Sequence, residues 1–267
     1  MLLRRWLTAL ALLGFVIPLL LIASPFWVLL VVQAFAALAL YEFFAHALQK
    51  EPYVFRIIGM GMGVGLSAAV CFGGPGQLGW ALVLIVLMTL GLGVLCFPRT
   101  LNSLDLAGRL LLGTIYIGFL FSHMGLILTL PKGQQWIGLA VISTLLVDTG
   151  AFYGGYFFGR KKLCPSISPN KTVEGAVGGM LGGLLGVSAC KLVLFPQISP
   201  AKVLLLATGI GLMSQIGDLC ESMLKRSLNI KDFGSSLPGH GGFLDRIDSF
   251  LFTAPFVFYV AVWLPFY

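Results

Sequence analysis

Charge is what this sequence has least of. Only 10% of its 267 residues are charged, against 58% hydrophobic, and the mean hydropathy is +0.97. Soluble domains carry about a quarter charged residues, so an ordinary water-soluble enzyme is excluded. Cysteine is sparse and forms no CxxC pair: Cys71, Cys96, Cys164, Cys190 and Cys220 are odd in number and far apart. That argues against a disulfide framework or zinc site and for buried free thiols. The polar–apolar alternation of an outer-membrane barrel is missing too; residues 81–93 are apolar on every side. The apolar residues run from Trp6 to Tyr267, and a crossing needs about 20 of them. An all-α polytopic membrane protein is expected. Its net charge of +7 does not point to nucleic acid, because membrane proteins concentrate Lys and Arg in cytoplasmic loops.

Residues 6–41 carry no charge. At about 1.5 Å per residue that is about 54 Å of helix, too long for one crossing, and Ser24-Pro25 is the natural break. Spans are expected at 6–23 and 26–48. Two more lie within the uncharged stretch 57–98, divided by Gly73-Gly74-Pro75-Gly76, and the rest at 108–130, 135–158, 172–195, from Lys202 past Asp218, and at 247–265. This count of nine places 14 of the 17 basic residues on the side of the N-terminus and leaves Lys132, Lys191 and Lys202 opposite. By the positive-inside rule the N-terminus and every loop of any size face the cytoplasm. A signal peptide ending at Ala23-Ser24 is the competing reading of the first span; Pro25 argues against cleavage there.

The polar residues are not spread evenly. Seven of the ten acidic residues lie between Asp148 and Asp248. Residues 1–130 read as a transmembrane scaffold, and 131–267 as the catalytic region with cytoplasmic loops 159–171 and 220–246. Ionisable groups at membrane depth mark functional sites by default. Asp218, Glu221, Ser222 and Lys225 are spaced to share one helix face. A simple Glu221–Lys225 pair on an emerging helix accounts for two of them, but not for Asp218, which follows fifteen uncharged residues. Further on, His240 stands among Gly239, Gly241 and Gly242, a stretch able to approach phosphate closely. Asp245 and Asp248 follow three apart; oxygen ligands of this kind suit Mg²⁺, and helix capping is the plainer reading. Thr172 reads as an N-cap with Glu174 in the first turn; that leaves Lys171 unexplained, beside a topological triplet Arg160, Lys161 and Lys162.

Other features read as structural. The ridges Gly175/Gly179/Gly183 and Gly178/Gly182/Gly186, and the series Gly59, Gly61, Gly63 and Gly65, suit close helix packing. His123 is expected to hydrogen-bond between helices, and His46 to pair with Glu42 four residues earlier.

Three segments carry a family resemblance. Residues 222–248 read SMLKRSLNIKDFGSSLPGHGGFLDRID and resemble, without departure, the signature of the phosphatidate cytidylyltransferases (CDP-diacylglycerol synthases). Ser168-Pro169-Asn170-Lys171-Thr172-Val173-Glu174-Gly175 resembles the family's S-P-x-K-T-x-E-G segment. Asp148-Thr149-Gly150-Ala151 resembles its intramembrane D-x-x-A, with Phe152 next where tyrosine is common. The resemblance is strong over the C-terminal half; over the N-terminal half it is one of span pattern only.

The resemblance implies CTP and phosphatidate as substrates, CDP-diacylglycerol and diphosphate as products, Mg²⁺ with a possible second cation, and a homodimer open toward the cytoplasm; the short loops point to a bacterial cytoplasmic membrane. It implies Asp218, Asp245 and Asp248 as metal ligands, and Lys171, Lys225, Arg226, Lys231 and Arg246 as phosphate-holding groups. His240 would contact diphosphate or nucleotide. Ser168, Glu174, Asp148, Gly241 and Gly242 would line the substrate site. CDP-alcohol phosphotransferases are disfavoured, because D-G-x-x-A-R is absent, and D-D-x-x-D polyprenyl transferases likewise. A CTP-dependent lipid kinase is the nearest enzymatic alternative. A transporter should show two similar halves, whereas these halves differ.

Overall fold

Proline and glycine set the helix ends. In the computed structural model Ser24 is extended (φ −68°, ψ 155°) and Pro25 opens α1 (Pro25–Ala47), at a position where the missing N–H has no intrahelical partner to lose. Helix α2 (Tyr53–Gly73) stops where Gly74 takes φ 78°. A 3₁₀ turn at Pro75–Gln77 then leads into α3 (Leu78–Cys96). Next come α4 (Ser103–Ile127), α5 (Gly133–Phe158), α6 (Val173–Val193), α7 (Pro200–Ser227) and α8 (Leu244–Trp263). The structure describes residues 22–97, 102–234 and 241–263, with Gly14, Pro18 and Leu20. Among the described residues, eight helices are long and apolar enough to cross a membrane, and the protein is an all-α polytopic membrane protein. The ninth expected span, 6–23, lies almost wholly outside them.

Three helix starts lie three or more residues ahead of expectation, the first being α2 at Tyr53 rather than 57. Helix α4 begins at Ser103 rather than 108, since Asp105 and Arg109 neutralise each other one turn apart at 2.9 Å and Arg109 also donates to the Ala47 carbonyl at 2.6 Å. Its middle, Thr114–Phe119, is π-helical. Helix α8 begins at Leu244 rather than 247. The expected loop 159–171 contains an antiparallel hairpin, β1 (Lys162–Cys164) with β2 (Ser168–Thr172). Strands this short carry no readable alternation. The Glu174 carboxylate secures the hairpin base by accepting the backbone N–H groups of Arg160 (3.0 Å) and Lys161 (3.2 Å), while Thr172 caps α6 by accepting from Gly175 at 3.1 Å.

Glycine brings α5 and α6 into backbone contact. A Cβ at Gly178 would lie 2.5 Å from the Gly150 carbonyl oxygen, one at Gly186 2.7 Å from Ser143 Cα, and one at Gly182 would run into the Leu146 carbonyl. Gly179 and Gly183 face Gln215 and Ala207 of α7, each at 3.2 Å. These ridges are packing surfaces, as expected. In α2 only half of the series packs: Gly59 and Gly63 meet Phe44 and Leu40, whereas Gly61 and Gly65 face open space.

Both histidine expectations are corrected. The Nδ1 of His123 lies 3.0 Å from the Phe119 carbonyl of its own helix, and the ring meets α8 through Phe258 and Tyr259 instead of a hydrogen bond. His46 Nδ1 lies 3.0 Å from the backbone oxygen of Glu42, not its carboxylate. All five cysteines are free, as expected, but only Cys71 and Cys190 are buried; Cys96, Cys164 and Cys220 are partly exposed.

Close packing here makes Gly182→Leu destabilising by about 1–3 kcal/mol or more, the range for overpacking. Gly61→Leu, into open space, should be near neutral. Melting temperatures of the detergent-solubilised variants check the contrast, and equal shifts would refute it.

Candidate functional site

Helix α7 crosses with its polar face turned inward and meets the start of α8. Gly217 permits the approach: a Cβ there would lie 2.6 Å from the Asp248 backbone oxygen. The contact brings Asp218 and Glu221 of α7 together with Asp248 of α8, one carboxylate oxygen of each lying within 4.8 Å of the others. Such a set can hold a metal ion. Glu221 is buried, and its Oε1 has no hydrogen-bond partner among the described residues. Its other oxygen, Oε2, lies 2.5 Å from Lys225 Nζ, and the same ammonium donates to Asp245 Oδ1 at 3.0 Å. One partly buried cation thus neutralises the buried Glu221 and the partly buried Asp245.

The hairpin supplies a second cation. Lys171 Nζ lies 2.8 Å from Asp218 Oδ2, a charge contact rather than an aligned hydrogen bond, so its N–H donors are unused among the described residues. Asp148 of α5 accepts from Ser214 Oγ of α7 at 3.3 Å. Asp148, Lys171 and Asp218 line a cavity of about 500 Å³ together with Phe152, Tyr156 and Leu163. Phe152 and Tyr156 are 51% and 74% exposed and stacked, with centroids 6.2 Å apart. On a spanning helix, exposed aromatics of this kind face lipid or its headgroup zone. The cavity lining is part charged and part aromatic.

Asp245 ties the loop before α8. Its Oδ2 accepts the N–H groups of Gly242 (2.7 Å) and Phe233 (3.2 Å), and Gly241 takes φ 75°, where a side chain would be strained. After α7, Asn229 in the left-handed region (φ 57°) turns the chain, and Ile230 donates back to the Lys225 carbonyl at 2.9 Å.

With this geometry in place, sequence comparison decides the family. The model of a family described as the cytidylyltransferase family matches residues 3–264. The chain belongs to the cytidylyltransferase family. It is 42% identical over 159 residues to the phosphatidate cytidylyltransferase of Bacillus subtilis, covering 59% of each chain. To the enzymes of that name from Staphylococcus saprophyticus and Staphylococcus aureus it is 41% identical over 145 residues and 42% over 141. The matched parts take in 55% and 52% of those two relatives. The chain therefore matches between about half and three-fifths of the length of these curated relatives.

This cytidylyltransferase-family chain gathers most of the expected site residues, though not as one metal shell. Asp218 and Asp248 share the acidic cluster; Asp245 instead faces Lys225 and the loop backbone. Glu221, read from sequence as a surface ion-pair partner, is both that partner and the third member of the cluster; its i, i+3 spacing from Asp218 was the available signal. Lys171 and Asp148 reach the cavity. Ser168 starts β2, and Glu174 is engaged with the hairpin. Arg226 Nε donates to the Ile167 carbonyl at 3.3 Å, holding the hairpin against α7. Lys231 and Arg246 are exposed. Gly241 and Gly242 form the returning arm of the loop, and His240 lies outside the described residues.

Two nearby residues had no sequence signal. Tyr116, from the π-helical turn of α4, packs edge-on against Phe252, one turn beyond Asp248, with its hydroxyl buried and unpartnered among the described residues. Glu42 of α1 accepts the N–H of Leu244 at 2.9 Å.

Removing Lys225 would leave Glu221 and Asp245 without their shared counter-charge. Breaking a buried ion pair from one side costs about 3–5 kcal/mol, so Lys225→Met should lower the melting temperature sharply. Exposed Lys231→Met should stay within about 0.5 kcal/mol of the parent. Thermal unfolding of both variants tests the assignment.

Proposed function

We propose that this chain is a phosphatidate cytidylyltransferase, moving the cytidylyl group of CTP onto phosphatidate to give CDP-diacylglycerol and diphosphate. The observation that carries the reading is a cavity lined by the charged Asp148, Lys171 and Asp218 together with the exposed Phe152 and Tyr156 of a membrane-spanning helix, a lining suited to a lipid whose phosphate is the acceptor. The names of the curated relatives support the same reaction. A phosphate oxygen of phosphatidate attacks the α-phosphorus of CTP, and the bond from that phosphorus to the β-phosphate bridging oxygen breaks. Because the nucleophile is already an anion, no general base is required.

Two highly charged phosphates must approach each other, so charge neutralisation dominates the barrier. Lys171, with donors unused, is suited to clamp the acceptor phosphate beside Asp218. Arg226, Lys231 and Arg246 lie on the loop side and would meet the triphosphate. Lys225 keeps Asp245 and Glu221 in register, and Asp148 orders the cavity floor through Ser214. The residues fit a divalent cation: Asp218, Glu221 and Asp248 would hold Mg²⁺, consistent with the buried, unpartnered Glu221 Oε1. When bound, Mg²⁺ would neutralise phosphate charge and polarise the reacting phosphorus. A second cation and a homodimer belong to the same reading.

The site is proposed to open to the cytoplasm, where CTP is supplied. The 14-to-3 division of basic residues supports that orientation, and the bacterial relatives support a bacterial cytoplasmic membrane.

Purified protein given CTP, Mg²⁺ and phosphatidate should release diphosphate and form a CDP-lipid. Release of CDP with a pyrophospholipid would sink the proposal in favour of the lipid kinase. Asp218→Asn and Asp245→Asn should each lower turnover at least about a hundredfold, the upper range for groups supporting a metal centre, while membrane insertion persists. Near-normal rates in either variant remove that residue from the site.

A further inference from the structure

Glu42 stands in the half of the chain that reads as scaffold, yet its carboxylate reaches the loop ahead of α8. It is 4% exposed, and its Oε2 accepts the N–H of Leu244, the first residue of that helix. Two glycines press on the same carboxylate. A Cβ at Gly234 or at Gly242 would run into Glu42, and one at Gly234 would also lie 3.2 Å from Gly242 Cα. The outgoing and returning arms of the loop therefore touch at these glycines, closed on one side by Glu42. Asp245 closes the other side through the N–H groups of Phe233 and Gly242. Phe233 is fully buried and anchors the neck on α1, 6.0 Å from the Phe43 ring and 6.1 Å from His46. His46 binds the Glu42 backbone oxygen instead of the carboxylate, which leaves the carboxylate turned to the loop.

We propose that Glu42 is a positioning residue of the transfer site: it holds the neck formed by Phe233, Gly234 and Gly242 closed and so keeps Asp245 against Lys225. Any side chain at either glycine would push the carboxylate away, and a shorter residue at position 42 would leave the Leu244 N–H without its acceptor. The kinetic part of the test rests on the proposed cytidylyl transfer; the structural part does not.

The experiment is limited trypsin digestion of purified Glu42→Ala and Glu42→Gln proteins, read at exposed Lys231, beside steady-state kinetics. The Arg160, Lys161 and Lys162 sites serve as internal reference. In Glu42→Ala, cleavage at Lys231 should rise about tenfold with the reference sites within about twofold, as for a local opening. Its kcat should fall about tenfold while KM for CTP moves less than about threefold, the pattern of a lost transition-state arrangement rather than lost binding. Glu42→Gln keeps an acceptor for Leu244 and should return both cleavage and kcat to within about threefold of the parent. Parent-like cleavage at Lys231 in Glu42→Ala overturns the proposal, as does equal acceleration at the reference sites or failure of the glutamine to rescue. A parent protein that makes no CDP-lipid would refute the proposed reaction, and the cleavage comparison would still decide the role of Glu42.

Discussion

The acidic cluster and the loop before α8 are arranged around one ammonium group. Lys225 lies between Glu221 and Asp245 in a region where an uncompensated charge costs several kcal/mol, and each of those carboxylates carries a further duty. Glu221 completes the group with Asp218 and Asp248; Asp245 gathers the backbone of the loop before α8. The ammonium couples the acidic cluster to the loop, so neither can shift without exposing a buried charge. The remaining helices answer to that constraint: α7 and α8 must meet closely enough to bring the carboxylates together, and Gly217 is the place where they do.

Much of this was legible because charge is scarce. Each ionisable residue within a span stands out, and the helical spacing of Asp218, Glu221 and Lys225 alone puts them on one face. Helix ends at Pro25 and Gly74 were legible for a related reason, since few residues can occupy those backbone positions. The hairpin was not legible. Its strands are too short for a period, and it is held by Glu174 reaching back to the N–H groups of Arg160 and Lys161. Asp245 illustrates a different limit. Sequence spacing ranked it with Asp248 as a metal ligand, whereas folding turns one toward the cluster and the other toward Lys225 and the loop. Residues three apart share a helix face, but the first turn of a helix also faces the loop that precedes it.

Glu42 and Tyr116 show where local reasoning ends. Nothing near either residue points to the site, because their partners lie far along the chain: the hydrogen bond from Leu244 to Glu42 spans 202 positions. A motif search weighted to the C-terminal half treats the first four helices as inert support. Packing makes them part of the site instead, with α1 closing the loop neck and the π-helical turn of α4 placing a phenol beside Phe252.

The division of the cavity lining follows from how its walls are built. Its charged part lies where α5, α7 and the hairpin converge: Lys171 offsets Asp218 there at 2.8 Å, and Asp148 accepts from Ser214. Its aromatic part comes from the next turns of α5, which carry Phe152 and Tyr156. Helix α6 is lined with glycine on the side facing α5, so no large side chain of α6 fills the space between them, and the backbones touch instead. The same glycines that lock two helices together thus leave the aromatic face of α5 uncovered next to a charged pocket. A phosphate-bearing lipid matches both parts of that lining at once: its headgroup suits Lys171, and its chains suit the ring stack. A soluble phosphate ester would make no use of the second part.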